Sequence, residues 1–424
     1  MTTLEQLLEQ FRQQTRAFLS QKPVEGKIRI PLNAPTFNED EIVEALHCLL
    51  TQNVTMGDKV RLFERQFAEY LGLRHAIMVN SGSSANLLAM AALINPLCPA
   101  QYRLQPGAEV IVPAVTWPTT LWPVINMGLV PVLVDADPRT LNLDPAAVRA
   151  AVSPKTKAIF VAHILGNAAD MDALQMIARE HKLVLLEDSC ESLGTTYRGK
   201  FTGHFSLAAT YSFFFSHHIT TMEGGMVVTN DDALADLFRC LRSHGWSRHM
   251  QAHKGIEQAY PDIDPRFLFI NIGYNLRATD VQAAFGLHQL KKLTSFNTQR
   301  RQLAAAMLDG LRPLADDLAV IEPTDGVMHT WFGFPVVLRE RHRGRRKEFV
   351  QHLESCGIET RPIIAGNLAR QPALAHYAHR IAGNLKNAQA IMDGGVYWGI
   401  HPFMTLREVD YVLSVVREFF RRTS

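Results

Sequence analysis

Residues 156–188 read TKAIFVAHILGNAADMDALQMIAREHKLVLLED. The opening TKAIFVAH and the closing LVLLED are apolar on consecutive positions, as expected of strands covered on both faces. Between them DALQMIAREH (172–181) has the apolar spacing of a helix. Strand, helix and strand in that order predict two parallel strands joined by a crossover. The same alternation continues outward. HAIMVN (75–80), AEVIVP (108–113), VPVLVD (130–135) and GGMVVT (224–229) are further strand-length apolar runs. SANLLAMAALI (84–94) and DALADLFRCLRSH (232–244) read as helices between them. The expectation is an α/β fold with a mostly parallel central sheet flanked by helices.

Towards the N-terminus, NEDEIVEALHCLL (38–50) reads as a helix capped by Asn38, with acids in its first turn. DKVRLFERQFAEYLG (58–72) reads as an amphipathic helix ending at Gly72. Residues 1–30 read as a helical arm with a connecting loop, in which Leu4, Leu7, Leu8 and Phe11 fall at helical spacing. Further on, residues 278–308 form one long helical pattern leading to WFGFPVVL (331–338) as a strand and KEFVQHLESCG (347–357) as a helix. The basic run RERHRGRRK (339–347) reads as a solvated hairpin or loop. The domain expectation is an arm over 1–30, a large domain over 31–294 and a smaller α+β domain over 295–424.

Of the 424 residues, 47% are hydrophobic and 20% charged, the balance of a globular enzyme with ample core. A formal net charge of +2 gives no support to nucleic-acid binding. No apolar run approaches the roughly 20 residues of a membrane span, and the acids Glu5 and Glu9 interrupt the N-terminus, unlike a signal peptide. The expected location is the cytoplasm. The five cysteines, Cys48, Cys98, Cys190, Cys240 and Cys356, are scattered, with no C-x-x-C and no zinc spacing.

Three stretches carry possible chemistry. In NSGSSANLLAMAAL (80–93), Gly82 and Ser83 stand where a strand turns into a helix, a place that binds phosphate or is simply a turn. In LVLLEDSCES (183–192), the pair Glu187 and Asp188 ends a strand, the edge where open α/β sheets bind ligands. Asp188 there either faces a protonated ring nitrogen or caps a helix. In TYSFFFSHHITTMEGGMVVTN (210–230), His217 and His218 follow a cluster of hydroxyls and aromatics and precede a Gly-Gly turn; they are either functional or structural.

Taken with PAVTWPTT (113–120), VLVDADPRTLNLD (132–144), AHILGNAADM (162–171), GYNLRATDVQAAFG (273–286) and ETRPIIAGNLARQP (359–372), in that order, the chain resembles the DegT/StrS family of pyridoxal-phosphate-dependent sugar aminotransferases and their dehydratase relatives. The resemblance runs from about Pro31 to Thr405 and implies the fold type I architecture of that family. It also implies cofactor-binding roles residue by residue. Gly82, Ser83 and Ser212 match the phosphate site, and Trp117 the aromatic ring stacked on the pyridine. Asp188 matches the partner of the pyridine nitrogen. Glu191 falls where a Gln or His usually approaches the ring hydroxyl. Asn275 matches an asparagine that reaches the phosphate from a neighbouring subunit, which implies a homodimer with shared sites.

The family pattern S-F-x-x-x-K carries its lysine five residues after the serine, and here that position is His217; the nearest lysines are Lys200 and Lys254. A histidine cannot hold the cofactor covalently, but it titrates near neutrality and can act as a base. The same replacement, within H-H-I-T, marks the NDP-4-keto-6-deoxyhexose 3-dehydratases. The resemblance therefore implies a cofactor working as pyridoxamine phosphate, removal of the C3 hydroxyl from a nucleotide-linked 4-keto sugar, and glutamate as the amino donor. The iron–sulfur variant of this chemistry needs a late cysteine group, and only Cys356 lies in the last part of the chain. No metal is expected. The alternatives are an aminotransferase-like enzyme adapted to histidine, or an inactive family member. His218, Arg248, Asn367 and Arg370 are candidate substrate contacts. His163 reads as structural, and Met222 stands where the family motif usually has glycine.

Overall fold

A computed structural model describes residues 3–20 and 29–421. The first elements in chain order are α1 (Leu4–Ser20), α2 (Glu39–Leu50), α3 (Asp58–Leu71), β1 (His75–Val79), α4 (Gly82–Leu93), β2 (Glu109–Pro113), α5 (Pro118–Asn126), β3 (Val130–Val134) and α6 (Pro145–Ala151). Then come β4 (Thr156–Ala162), α7 (Met171–Glu180), β5 (Val184–Asp188), β6 (Thr196–Tyr197), β7 (Lys200–Phe201), β8 (Ala208–Ser212), β9 (Gly225–Thr229), α8 (Asp232–Arg242) and α9 (His253–Ala259). The remainder is α10 (Asp280–Leu311), β10 (Leu318–Val320), β11 (Val327–Met328), β12 (Gly333–Leu338), α11 (Arg346–Ser355), β13 (Thr360–Arg361), β14 (Arg380–Ile381), α12 (Lys386–Gly394), β15 (Gly395–Gly399) and α13 (Leu406–Arg421). The connecting loop expected after the arm falls largely at 21–28, outside the described residues.

The chain divides into two compact units. The first comprises residues up to Val24, Pro35–Gln105 and Leu207–Lys292. In it β9 lies between β1 and β8, antiparallel to both, with Gly225 opposite Val79 on one side and Ser212 on the other. The sheet was expected to be mostly parallel, and in this unit β9 is the strand that runs against its neighbours, because β8 and β9 are joined by a loop with no crossover helix and strands joined that way run antiparallel. Phe63 and Phe67 of α3 meet Tyr211 and Phe213 edge to face, with ring centroids 5.2–5.4 Å apart. All four rings are buried, which fixes the end of β8. Helix α3 stops at Gly72, whose φ of 70° is the left-handed cap a glycine adopts without penalty.

The second unit comprises Glu25–Ala34, Pro106–Ser206 and Leu293 to the end. Its strands β5-β4-β2-β3-β14 are parallel throughout, joined by helices as the opening stretch predicted. Their apolar faces bury Val132, Val134, Ile159, Val161 and Leu185 against Leu174 and Ile177 of α7. A separate antiparallel sheet runs β10-β12-β15-β13. Beneath it the Arg300 guanidinium is buried against the carbonyls of Trp331, Phe332 and Ile400, and burial pulls its pKa down to about 10. The basic run after β12 is not a loop: Glu340–Arg345 forms a 3-10 helix that leads directly into α11. Among the described residues no helix is long and apolar enough to cross a membrane.

Candidate active site

In the first unit, Ser81 caps α4: its side chain accepts the Ser84 N–H at 3.0 Å. The first-turn N–H groups of any helix have no acceptor within the helix, so the Ser81–Ser83 turn offers donors and the positive end of the dipole. Gly225 holds this turn close to β9. A Cβ added there would lie 2.3 Å from the Ser81 carbonyl oxygen and 2.7 Å from the Gly82 nitrogen. Because Gly225 pairs with Ser212, the structure brings Gly82 and Ser212 together across one glycine. Asn275 is exposed and lies near the same strand end: the neighbouring Leu276 carbonyl accepts the Asn80 N–H at 2.9 Å.

The loop between β8 and β9 carries both histidines. Phe213 donates its N–H to the Gly224 carbonyl (2.8 Å) and accepts the Thr221 N–H (2.9 Å), so the loop closes at its base. His217 is half-buried, its ring beside that of Phe214, and its N–H bonds to the Phe214 carbonyl. His218 is buried. Met222 has φ of 67°, the left-handed conformation that glycine adopts freely. Methionine thus follows the backbone path a glycine would take, at a cost of about 1 kcal/mol. The Met222 N–H is held by the Thr220 hydroxyl at 2.9 Å.

In the second unit, Asp188 ends β5 and is buried. No helix follows it, so the capping alternative fails. The Thr120 hydroxyl donates to Asp188 Oδ2 at 2.8 Å, and the Cys190 N–H to Oδ1 at 3.1 Å. Thr120 was not singled out from sequence; the hydroxyls of PAVTWPTT were its only signal. Trp117 opens α5 three residues earlier and is 58% exposed, leaving its ring available.

Glu187 is fully buried and collects donors from His163 Nε2 (3.0 Å), the Gly203 and Phe205 N–H groups (2.8 and 3.0 Å) and the Ser206 hydroxyl (2.7 Å). Burial opposes ionisation, but these donors prevail and hold its pKa below the usual carboxylate range. His163 Nδ1 accepts the Ala169 N–H at 3.1 Å, so its proton sits on Nε2 and points at Glu187. His163 is structural, as the sequence indicated. Glu191 accepts the Leu165 N–H at 2.8 Å, from a turn in which Leu165 has φ of 51° and Gly166 is pressed against the Thr330 carbonyl. Burial pushes the Glu191 carboxyl up to about 8; the Leu165 N–H opposes this and the charge of Asp188 adds to it.

The remaining candidates stand on separate elements. Arg248 is exposed above the Trp246 ring, 4.9 Å from its centroid, and Trp246 stacks on Phe269. The Asn367 side chain accepts the Ala369 N–H at 3.1 Å, and its backbone bridges to Val115 just after β2. Arg370 is exposed beyond it. Among the described residues no three metal-ligating side chains cluster.

A profile of the DegT/DnrJ/EryC1/StrS aminotransferase family matches residues 35–417. The chain belongs to that family. Within it, the chain is 38% identical to the GDP-4-keto-6-deoxy-D-mannose 3-dehydratase of Escherichia coli O55:H7, over 92% of this chain and 100% of that one. It is likewise 38% identical to the dTDP-4-dehydro-2,6-dideoxy-D-glucose 3-dehydratase of Saccharopolyspora spinosa, over 95% of this chain and 88% of the other. A crystal structure of GDP-4-keto-6-deoxymannose-3-dehydratase with a trapped PLP-glutamate geminal diamine superposes with a TM-score of 0.84, at 36% identity, over 92% of this chain and all of that one. The family's α/β fold type I architecture is therefore the fold of this chain.

Proposed function

We propose that the chain is a pyridoxal-phosphate-dependent 3-dehydratase of a nucleotide-linked 4-keto-6-deoxyhexose, with glutamate as amino donor. The observation that carries this reading is His217: it occupies the lysine position of a family whose dehydratase members are this chain's relatives, and the loop it stands on contains no lysine. The donor set suits the cofactor. The Ser81–Ser83 turn and Ser212 suit its phosphate, and the exposed face of Trp117 suits its ring. Asp188, already oriented by Thr120 and Cys190, suits a protonated ring nitrogen. An uncharged Glu191 can donate a hydrogen bond to the ring hydroxyl, the part Gln or His plays in other members, which accounts for a carboxyl at this position. When bound, the cofactor supplies an electron sink next to the sugar's C4 carbon.

The protein's own contribution in this reading is orientation and proton transfer. Asp188 keeps the ring nitrogen protonated, and His217 moves the proton at the cofactor's C4′ carbon. Imidazole is shorter and stiffer than a lysine chain, which disfavours carrying that proton on to the sugar and leaves expulsion of the C3 hydroxyl as the outcome. His218, Arg248, Asn367 and Arg370 stand as candidate substrate contacts. Asn275, exposed beside the strand end, reaches the phosphate of a second copy in a homodimer located in the cytoplasm. The domain scheme is an arm over 1–30, a large domain over 31–294 and a small one over 295–424. No metal takes part.

The test incubates the protein with pyridoxal phosphate, glutamate and a panel of NDP-4-keto-6-deoxyhexoses, and measures ammonia and 2-oxoglutarate together. Both rise in step with a C3-deoxygenated ketosugar if the reading is right. An aminosugar formed with 2-oxoglutarate and without ammonia overturns it in favour of an aminotransferase.

A further inference from the structure

Helix α1 lies ahead of residue 35, where the family match begins. It is fastened to α2 by two ion pairs, Arg12 with Asp40 and Arg16 with Glu39, the latter at 2.6 Å. The half-buried residues Leu8, Arg12, Thr15 and Leu19 mark the face turned towards the rest of the unit. None of its residues is fully buried, and a second apolar face stays open: Leu4, Leu7, Phe11 and Phe18 are 38, 36, 43 and 63% exposed.

These positions are not scattered. Together with Gln14 they step by three and four residues along the helix, the a and d positions of a heptad and so a seam for one further helix. The helix's charges, Glu5, Glu9, Arg12 and Arg16, all lie about a third of a turn or more from that seam. Its free rim carries the uncharged Gln10 and Ala17. A strongly charged partner finds nothing to pair with here, whereas an identical helix meets no like-charge repulsion.

We propose that the seam is covered by α1 of a second copy of this chain, running antiparallel about a twofold axis at Phe11. In that register Leu4 packs on Phe18 of the other copy, small against large, at both ends. A parallel pair would instead set Phe18 on Phe18 and Leu4 on Leu4. Two such seams bury less than the roughly 1,200 Å² of a stable interface on its own. The contact therefore supplements the homodimer of the reading above and rests on it.

The test uses the full chain with Phe11→Cys, Leu4→Cys or Phe18→Cys, a short thiol-specific cross-linker, light scattering for mass and cofactor absorbance as the check on folding. Phe11→Cys should give covalent pairs well above the unaltered chain. Phe18→Cys alone should not, since two copies of that position lie about 20 Å apart along the antiparallel pair. Phe18→Cys mixed with Leu4→Cys should link. A multimer of unchanged mass in which Phe11→Cys fails to link overturns the arm contact and leaves the homodimer standing. A single-chain mass overturns both. Equal linking by Phe11→Cys and Phe18→Cys overturns the antiparallel register.

Discussion

Replacing Glu191 with Gln gives a direct measure of what burial does to the carboxyl at this position. The native carboxyl is held at about 8 against an ordinary 4.5, so the folded chain binds this proton more tightly than the unfolded chain does. The contribution to stability is therefore complete below pH 4.5 and is lost progressively as pH rises through 8. At roughly 1.4 kcal/mol per pH unit, the full gap corresponds to at most about 5 kcal/mol. Part of the side chain still meets solvent, so about 2–3 kcal/mol is the expected size. Gln does not titrate, and its amide oxygen can accept the same Leu165 N–H. Urea unfolding of both proteins without cofactor, at intervals from pH 5 to 9, isolates the contribution, because groups that do not interact with Glu191 cancel in the difference. The Gln variant should gain about 2–3 kcal/mol on the native chain between pH 5 and 9. A difference that stays constant within about 0.5 kcal/mol, or that moves in favour of the native chain, refutes the reasoning.

His217→Asn should lower sugar turnover by about 10²–10⁴-fold while cofactor absorbance on titration is retained, since a positioned base is lost and no binding group. Gly225→Ala places a methyl 2.3 Å from the Ser81 carbonyl oxygen, against rigid backbone. It should cost about 2–4 kcal/mol in urea unfolding and weaken cofactor binding in the same absorbance titration. Glu187→Ala strands four donors in a dry interior and should cost roughly 3–5 kcal/mol, with Glu187→Gln milder. The depressed Glu187 pKa makes native stability fall as pH drops below the ordinary carboxylate range, so acid unfolding should start at higher pH in the native chain than in Glu187→Gln measured relative to its own neutral-pH stability.

The strands of the parallel sheet could be read because each is a continuous apolar run between helical patterns. The direction of one strand could not: GGMVVT has the composition of a parallel strand, and the loop carrying His217 returns it antiparallel to β8. Charge misled at 339–347, where the arginines clothe a 3-10 helix and the start of α11 without breaking either. At the site, residue type and order pointed to Asp188 and His217, whose chemistry is local. What sets the ionisation of Glu191 is its burial, opposed by a backbone N–H 26 positions away in a left-handed turn, and what orients Asp188 is the hydroxyl of Thr120, 68 positions away. Partnerships of that range leave no imprint on spacing. The family's glycine-for-methionine difference at 222 was visible, but not that methionine keeps glycine's φ.

The cluster of donors on Glu187 has a consequence for coenzyme exchange. On the proposed reading, with His217 in the lysine's place, no covalent tether holds the coenzyme, which is then free to leave and return. Its wall must then keep its shape in the intervals. Two side chains and two peptide groups already lock the penultimate residue of β5 from beneath. On that reading the neighbouring Asp188 is held in place for the next arrival, so reloading requires no local refolding.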